Sequence, residues 1–297
     1  MPAIINPDQI RTWGRSYSAA FKDGLQGKTK NSYEALTMRF PMSTGVVELP
    51  MVEDILGLRK WTGDRQFQEM KARGYQMVAD VFEDSIQIGR KFVEDDNMGL
   101  FTKRFEALGR KVTEWPDAQV WAKIEAGETD KGYDGTAYFS ASHAENGTTA
   151  ANLSGSGSPA WYLFDCSQVE KPMLWGDYIA PEFVANDKPD SESVFLKDMY
   201  QYGVRARAGV QYGLWQMAYK SKATLDATAF DAAVTAMMQR KNDKGETLGI
   251  TPTHLVVSTS NRAAGRGIVN VEKLASGADN PNYKSVELIV CSRLSNT

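Results

Sequence analysis

Between Phe101 and Ile124 the apolar residues fall at helical spacing, and this stretch constrains the fold more than any other. Phe101, Phe105, Leu108, Val112 and Trp115 recur at intervals of four, three, four and three, which lines one face of an α-helix. Pro116 interrupts the run. A proline inside a helix removes a hydrogen bond and crowds the preceding turn, so a kink or restart is expected there. Val120, Trp121 and Ile124 carry the apolar face onward to Gly127, a natural stop. Asp95 and Asp96 stand just ahead of the helix, where negative charge suits its dipole. Residues 98–127 are therefore a candidate spine, and the fold has to bury their aromatic stripe.

A second aromatic stripe opens the chain. Asn6 as N-cap, Pro7 at the first helical position and Gln9 form an N-x-x-Q capping pattern. Ile10, Trp13, Tyr17 and Phe21 follow on one face, and Gly24 and Gly27 end the helix. The next segment, GKTKNSYE, is a polar connector. The stripe docks either on its own domain or, as an arm, on another copy of the chain. The pattern serves both readings equally.

Residues 51–72 carry short helical signals, MVEDILGL and GDRQFQEMKA. From Val78 to Phe92 the pattern changes to alternation. Phe82, Ile86, Ile88 and Phe92 share one parity, although Asp84 and Arg90 break the apolar side. A strand of that length spans roughly 50 Å at about 3.3 Å per residue. It is either a ribbon projecting from a body or two shorter strands with a break. Residues 128–192 read as loop-rich, and 193–220 as β-rich with interruptions at Gly203, Gly209 and Gly213. A helix opened by Thr228 and Asp231 follows, with Phe230, Ala233, Val234, Met237 and Met238 on one face. The strand HLVVST, a short helix through SNRAAGRGIVN and a closing strand VELIVCS complete the chain.

Composition narrows the function classes. With 297 residues, 42% hydrophobic and 24% charged, the chain makes one large domain or two ordinary ones. A net charge of -3 argues against a basic nucleic-acid binder. Cys166 and Cys291 show neither metal-ligand spacing nor a disulfide framework, and read as reduced thiols of a cytoplasmic protein. No secretory signal and no membrane-length apolar run is present, so no membrane partner is expected. The only histidines are His143 and His254, which leaves little room for a zinc site. No metal and no cofactor are expected. Glu94-Asp95-Asp96 is either a cation site or, more simply, a helix start. Gly27-Lys28-Thr29 resembles the end of a phosphate-binding loop, but Lys22 stands where its first glycine belongs and a helix precedes it. His143, Asp134 and Ser142 allow a hydrolase triad to be drawn, yet no nucleophile elbow accompanies them. Asn146-Gly147-Thr148 matches a glycosylation acceptor that should stay unmodified without secretion.

The order of short segments is more specific than any one of them. Trp61-Thr62-Gly63-Asp64-Arg65 comes first, then Phe82-Glu83 and the alternating strand ending in Val93-Glu94-Asp95-Asp96, with Gly99 beyond. Leu108-Gly109, Asp134-Gly135, Phe139, His143 and Lys171-Pro172 follow. Tyr202-Gly203 with Arg205, Tyr212-Gly213 with Trp215, and Leu255-Val256-Val257 close the series. From about residue 30 to 292 this set resembles the Mu-like major head subunit family of tailed phages.

The resemblance implies an α+β chain with the tailed-phage major capsid, Hong-Kong-97-like fold, and a structural protein instead of an enzyme. It implies an N-terminal arm in 1–45, an extended loop region in 46–96, a peripheral domain in 97–222 built on the spine at 98–127, and an axial domain with the C-terminal strand in 223–297. The implied function is self-assembly, as hexamers and pentamers, into an icosahedral head shell around double-stranded DNA, built in the host cytoplasm and ending in the virion. Trp13, Tyr17, Phe21, Trp61, Asp64, Arg65, Phe82, Ile86 and Ile88 are the candidate inter-subunit contacts, each with the alternative of packing inside one subunit. Scaffold protein, portal and maturation protease are expected as separate chains, since the sequence begins at Met1. Assembly is expected to be non-covalent, and the near-neutral charge fits an interior that faces packaged DNA without sequence-specific binding. A cytoplasmic hydrolase, a tail-tube subunit or a decoration subunit are the competing readings, and the long helix argues against a mostly β tube.

Overall fold

A computed structural model describes residues 7–27, 31–51, 74–96, 99–145, 147–157, 159–188, 191–242 and 245–295. The first part of the chain forms α1 (Pro7–Gln26), β1 (Thr37–Pro41), β2 (Val46–Leu49), β3 (Tyr75–Val78), β4 (Asp80–Gly89), α2 (Arg90–Glu94) and α3 (Leu100–Glu125). The middle adds β5 (His143–Glu145), β6 (Thr148–Ala150), β7 (Leu153–Ser154), β8 (Trp161–Phe164), β9 (Met173–Asn186), α4 (Glu192–Lys197), β10 (Met199–Tyr212) and β11 (Ala218–Ser221). The end supplies α5 (Ala227–Met238), β12 (His254–Val257), α6 (Arg262–Val269) and β13 (Glu287–Val290).

The periodic stretch forms a single helix. α3 runs 26 residues with Pro116 inside it, about 39 Å at 1.5 Å per residue, so the expected kink or restart does not divide it. Asp96 accepts hydrogen bonds from the Leu100 and Phe101 backbone N–H groups, both at 3.1 Å. The acidic turn thus satisfies two otherwise orphaned donors at the helix start. α1 lies beside α3 in parallel. Tyr17 stacks on Phe105 with ring centroids 4.6 Å apart, and Thr113 Oγ1 donates to the Leu25 carbonyl 88 residues earlier in the chain. Gly24 and Gly109 face each other at the contact, where a Cβ on either would strike the other helix.

A four-stranded sheet of order β1-β9-β10-β4 lies under these two helices. Its covered side presents Tyr200, Tyr202, Val204 and Ile88, which form one core with Tyr17, Phe21, Phe105 and Leu108. β9 and β10 are each 14 residues long, roughly 46 Å. β1 pairs with β9 only as far as Asp177. Beyond that point β9 is an edge, and its register against β10 slips between Glu182 and Ile179, where Ala180 and Pro181 sit opposite one residue. A bulge on an edge is where a strand tolerates proline.

The long alternating strand divides as one of its two readings held. β3 ends at Val78 and β4 begins at Asp80, and the segment from Arg90 onward turns into α2. β4 pairs along its whole length with β10, so residues 80–89 belong to the main sheet and not to a projecting ribbon. The reason is that Phe82, Ile86 and Ile88 find apolar partners on the α3 side of that sheet. β3 pairs instead with β2 as an antiparallel hairpin, which encloses residues 52–73.

A second sheet has the order β13-β12-β8-β11-β7. One side packs on α5 and α6 through Trp161, Leu163, Leu255, Val257, Phe230 and Met237. The opposite side presents Tyr162, Phe164 and Val256 to Val120, Trp121 and Ile124 of α3. Only β12 and β13 come from residues 223–297; β7, β8 and β11 come from earlier in the chain. The helix expected to open at Thr228 and Asp231 is capped by Asp226, whose carboxylate accepts from the Ala229 N–H at 2.8 Å.

Candidate assembly surfaces

The residues singled out from the sequence separate into three groups. Tyr17, Phe21 and Ile88 are buried by the chain's own core, and Trp13, Phe82 and Ile86 are half-buried at its margin. Phe82 rests on Trp115 at a centroid distance of 4.5 Å. Trp61, Asp64 and Arg65 lie outside the described residues. In the single chain the first helix docks on its own domain through two features: the Gly24–Gly109 approach and the aromatic stack around Phe105.

Other apolar groups remain uncovered in the single chain. Phe92 on α2 and Phe195 and Leu196 on α4 are exposed, Phe195 to 81%. The Arg90 N–H donates to the Asp198 carbonyl at 2.9 Å, and the two side chains approach at 3.9 Å. That contact seats α2 beside α4 at the far end of the β9–β10 pair. Sequence reasoning missed this corner because residues 128–192 were read as loop-rich and 193–220 as β-rich, where α4 stands instead. The usable signal was an N-cap serine followed by Val194, Phe195 and Leu196. β4 is also an edge strand, and its outer side carries no neighbouring strand among the described residues.

The polar interior consists of braces. Asp117 of α3 gathers the connector after α1 and the C-terminal segment. Its Oδ1 accepts from Ser32 N at 3.0 Å, Ser32 Oγ at 3.0 Å, Tyr33 N at 3.1 Å and Trp121 Nε1 at 3.1 Å, and its Oδ2 accepts from Arg293 Nε at 2.9 Å. Glu128, just past α3, sits between Lys220 at 2.6 Å and Lys222 at 2.5 Å. Burial pushes its carboxyl upward, but the hydrogen bonds from the two lysines outweigh that and hold it below the usual carboxylate range.

His143 is fully buried, with Nδ1 2.7 Å from Asp134 Oδ2 and Nε2 3.2 Å from Asn152 Oδ1. Its ring stacks on Trp215 at 4.0 Å. Asn152 is fixed in turn, accepting from Ser140 N and donating to the Tyr138 and Trp215 carbonyls. Both imidazole nitrogens are therefore committed to a brace, and the Ser142 backbone and hydroxyl engage Ser140 instead of the ring. The hydrolase triad is not assembled. Among the described residues no three His, Cys, Asp or Glu side chains converge as metal ligands, and no helix there is long and apolar enough to cross a membrane. Burial raises the Cys166 thiol to about 12.

A long helix shared between two cores, a long-stranded sheet beneath it, a two-stranded hairpin and uncovered apolar corners define a shell subunit with the Hong-Kong-97-like fold of tailed-phage heads. A subunit from the procapsid of bacteriophage JBD30 matches 98% of this chain and 100% of its own length at a TM-score of 0.84 and 33% identity. One from the JBD30 capsid decorated with minor capsid protein trimers matches 99% and 100% at 0.77 and 25%. The major capsid protein of Escherichia phage Mu is 30% identical over 306 residues, covering 98% of this chain and all of its own. The chain belongs to the Mu-like prophage major head subunit gpT family, whose model matches residues 10–294. It is a structural component of the virion, a major capsid protein that forms the phage head shell, and not an enzyme.

Proposed function

We propose that the chain builds an icosahedral head shell around double-stranded DNA, with copies arranged as hexamers and pentamers and held without covalent cross-links. The observation that carries this reading is the match to a procapsid subunit over nearly the whole chain. Closure of such a shell needs head-to-tail contacts repeated around symmetry axes. The uncovered corner at Phe92, Phe195 and Leu196 and the open edge of β4 are surfaces suited to such contacts. Trp13, Phe82 and Ile86 sit at the margin of the core, where a neighbour can complete their burial.

Scaffold, portal and maturation protease act as separate chains in this reading, and minor capsid protein trimers like those on the JBD30 capsid are a further class of partner. The peripheral part is centred on α3 and the four-stranded sheet, the axial part on the five-stranded sheet, and the β2–β3 hairpin belongs to the extended loop region of 46–96. Cryo-electron microscopy of particles made by co-expressing the chain with its phage partners tests the proposal. Closed round shells with five-fold and six-fold clusters are expected. Rods, flat sheets or small discrete oligomers would reject it, and a reducing gel showing only the single-chain band checks the absence of cross-links.

A further inference from the structure

The outer edge of β4 is the longest strand edge left open among the described residues. β4 runs 10 residues, contains no proline or lysine, and pairs with β10 on its other side without a bulge. Proline, lysine and bulges are common guards of an exposed edge. The open half of β9 has such a guard, the bulge at Ala180 and Pro181. The other open edges are short: 5 residues in β1, ending in Pro41, 4 in β2 and in β13, and 2 in β7. Among these strands only another β4 matches β4 in length.

Side-chain direction narrows how two such edges can meet. Phe82, Asp84, Ile86 and Ile88 lie opposite alternate residues of β10 on the helix-covered side of the sheet, and Glu83, Ser85 and Gln87 face the other way. A two-fold axis perpendicular to the sheet keeps both helix layers on one side. Opposed residues must then share a side, so one residue of β4 meets its own copy. An axis at Glu83 or at Asp84 sets two identical acids face to face, which is unfavourable. An axis at Phe82 opposes Asp84 and Asp80, again like charges. An axis at Ser85 avoids all three clashes. Asp84 then faces the partner's Ile86, Glu83 the partner's Gln87, and Phe82 the partner's Ile88. Asp80 reaches the partner's Arg90 at each end, where the charges are opposite. The same register carries Phe92 of α2 towards the partner's Val78 and Val46, groups that are 67%, 54% and 47% exposed in the single chain. Moving the axis on to Ile86 shortens the paired stretch from residues 81–89 to 83–89.

We propose that β4 pairs antiparallel with β4 of a second copy across a two-fold axis at Ser85, joining two four-stranded sheets into one. Such a contact is isologous, the same patch on both copies. The acids of β4 act as its register: they do not forbid pairing, but they penalise the neighbouring alignments. Asp84 is exposed over a groove that it shares with Lys111 of α3. A strand added in the plane of the sheet leaves that groove open, so the carboxylate keeps its water. The proposal deepens the head-shell reading and rests on it for its setting, because a closed icosahedral shell contains two-fold axes between its rings of copies.

The test uses particles of the full-length chain co-expressed with its phage partners, oxidised with copper phenanthroline and run on a non-reducing gel. Ser85→Cys opposes two thiols across the axis, with Cβ atoms about 4.5–5.5 Å apart, which a small strand movement brings within disulfide reach. The native Cys166 and Cys291 are buried and keep the background low. A dimer band at least tenfold stronger than that of Val184→Cys, an exposed position on β9 of the same sheet, is expected. Gln87→Cys alone should give no dimer, since its two copies stand four residues or about 13 Å apart along the strands. Co-expressed with Glu83→Cys it should. Equal bands for Ser85→Cys and Val184→Cys, a dimer from Gln87→Cys alone, or a cross-link to a chain of different mass overturns the proposal, the last by marking another protein as the occupant. Amide hydrogen exchange of the unaltered chain covers the case of a variant that does not assemble. Residues 80–89 should exchange at least tenfold more slowly in particles than in the free chain, and unchanged exchange there also overturns the pairing. If the particles are rods or flat sheets and the Ser85→Cys dimer still forms, the head-shell reading fails while the edge pairing stands.

Discussion

Replacing Asp117 with alanine should unfasten the connector after α1 and the C-terminal segment from the spine. The carboxylate is 8% exposed and accepts five hydrogen bonds, two from backbone N–H groups of Ser32 and Tyr33. Not all five count equally. Trp121 Nε1 also reaches Ser32 Oγ at 3.0 Å, so the indole keeps a partner. Arg293 is 39% exposed and can return to water. The uncompensated loss is therefore chiefly the Ser32 and Tyr33 N–H groups, and a hydrogen bond to a charged group is worth about 1.5–3 kcal/mol. We expect a loss of about 3 kcal/mol. For a chain of this length about 1 kcal/mol moves Tm by roughly 1.6 °C, so intrinsic tryptophan fluorescence should report a fall of about 5 °C. Asp117→Asn keeps one acceptor oxygen and should lose less than half as much. A fall under about 1 °C for the alanine variant would show that the brace is cosmetic and that the two segments are held by packing alone.

Further outcomes follow from single positions. Gly109→Ala puts a methyl against the Phe21 carbonyl and 3.0 Å from Gly24 Cα. It should destabilise by about 3 kcal/mol or more, read as lost soluble yield or a lower denaturation midpoint. Gly267→Ala, in α6 with nothing within 4 Å of the new Cβ, should stabilise by about 0.5–1 kcal/mol in the same assay. His143→Ala removes the stack on Trp215 and strands Asp134 and Asn152; a loss of about 2–3 kcal/mol is expected, with shells of normal shape if the variant folds. Because burial raises the Cys166 thiol from its ordinary value of 9.0 to about 12, the folded state keeps its proton longer than the unfolded chain. That contribution to stability is complete below pH 9 and is lost as pH rises toward 12. Tyr17, raised to about 12 from 10.0 by burial, Asp96 and Tyr200, acts in the same direction. Iodoacetamide at pH 8 should leave Cys166 unmodified until denaturant is added, as peptide mass mapping would show.

Helices carried their own signature into the sequence, and the long strands did not. α1, α3 and α5 were legible because each shows one apolar face at helical spacing, whatever it packs on. β4 was legible in part: its alternation was visible, but its partner β10 lies more than a hundred residues later, and nothing local shows whether a strand projects or lies in a sheet. β9 was missed altogether. Its first four residues are buried on both sides, which erases alternation, and Gly176 and Pro181 break what remains. The candidate contacts suffered from the same limit. Aromatic stripes mark burial, and Tyr17 and Phe21 are buried, but periodicity cannot name the surface that does the burying.

The placement of α3 explains why so much of the fold depends on it. Its first half, through Phe105 and Leu108, belongs to the core with α1 and the four-stranded sheet. Its second half, through Val120, Trp121 and Ile124, belongs to the core with the five-stranded sheet. Asp117 sits where the second half begins, and it is there that the connector after α1 and the C-terminal segment both attach. A helix that Pro116 had broken would let the two cores turn about that point. An unbroken one fixes their relative orientation over about 39 Å, and a closed shell depends on that angle being the same in every copy. The residues that keep the helix continuous and the residues that clamp the connector and the C-terminal segment to it therefore serve curvature of the shell as much as stability of the subunit. On this argument Asp117→Ala should widen the distribution of particle diameters even among molecules that stay folded, and micrographs showing uniform shells from a destabilised but folded variant would separate the two roles.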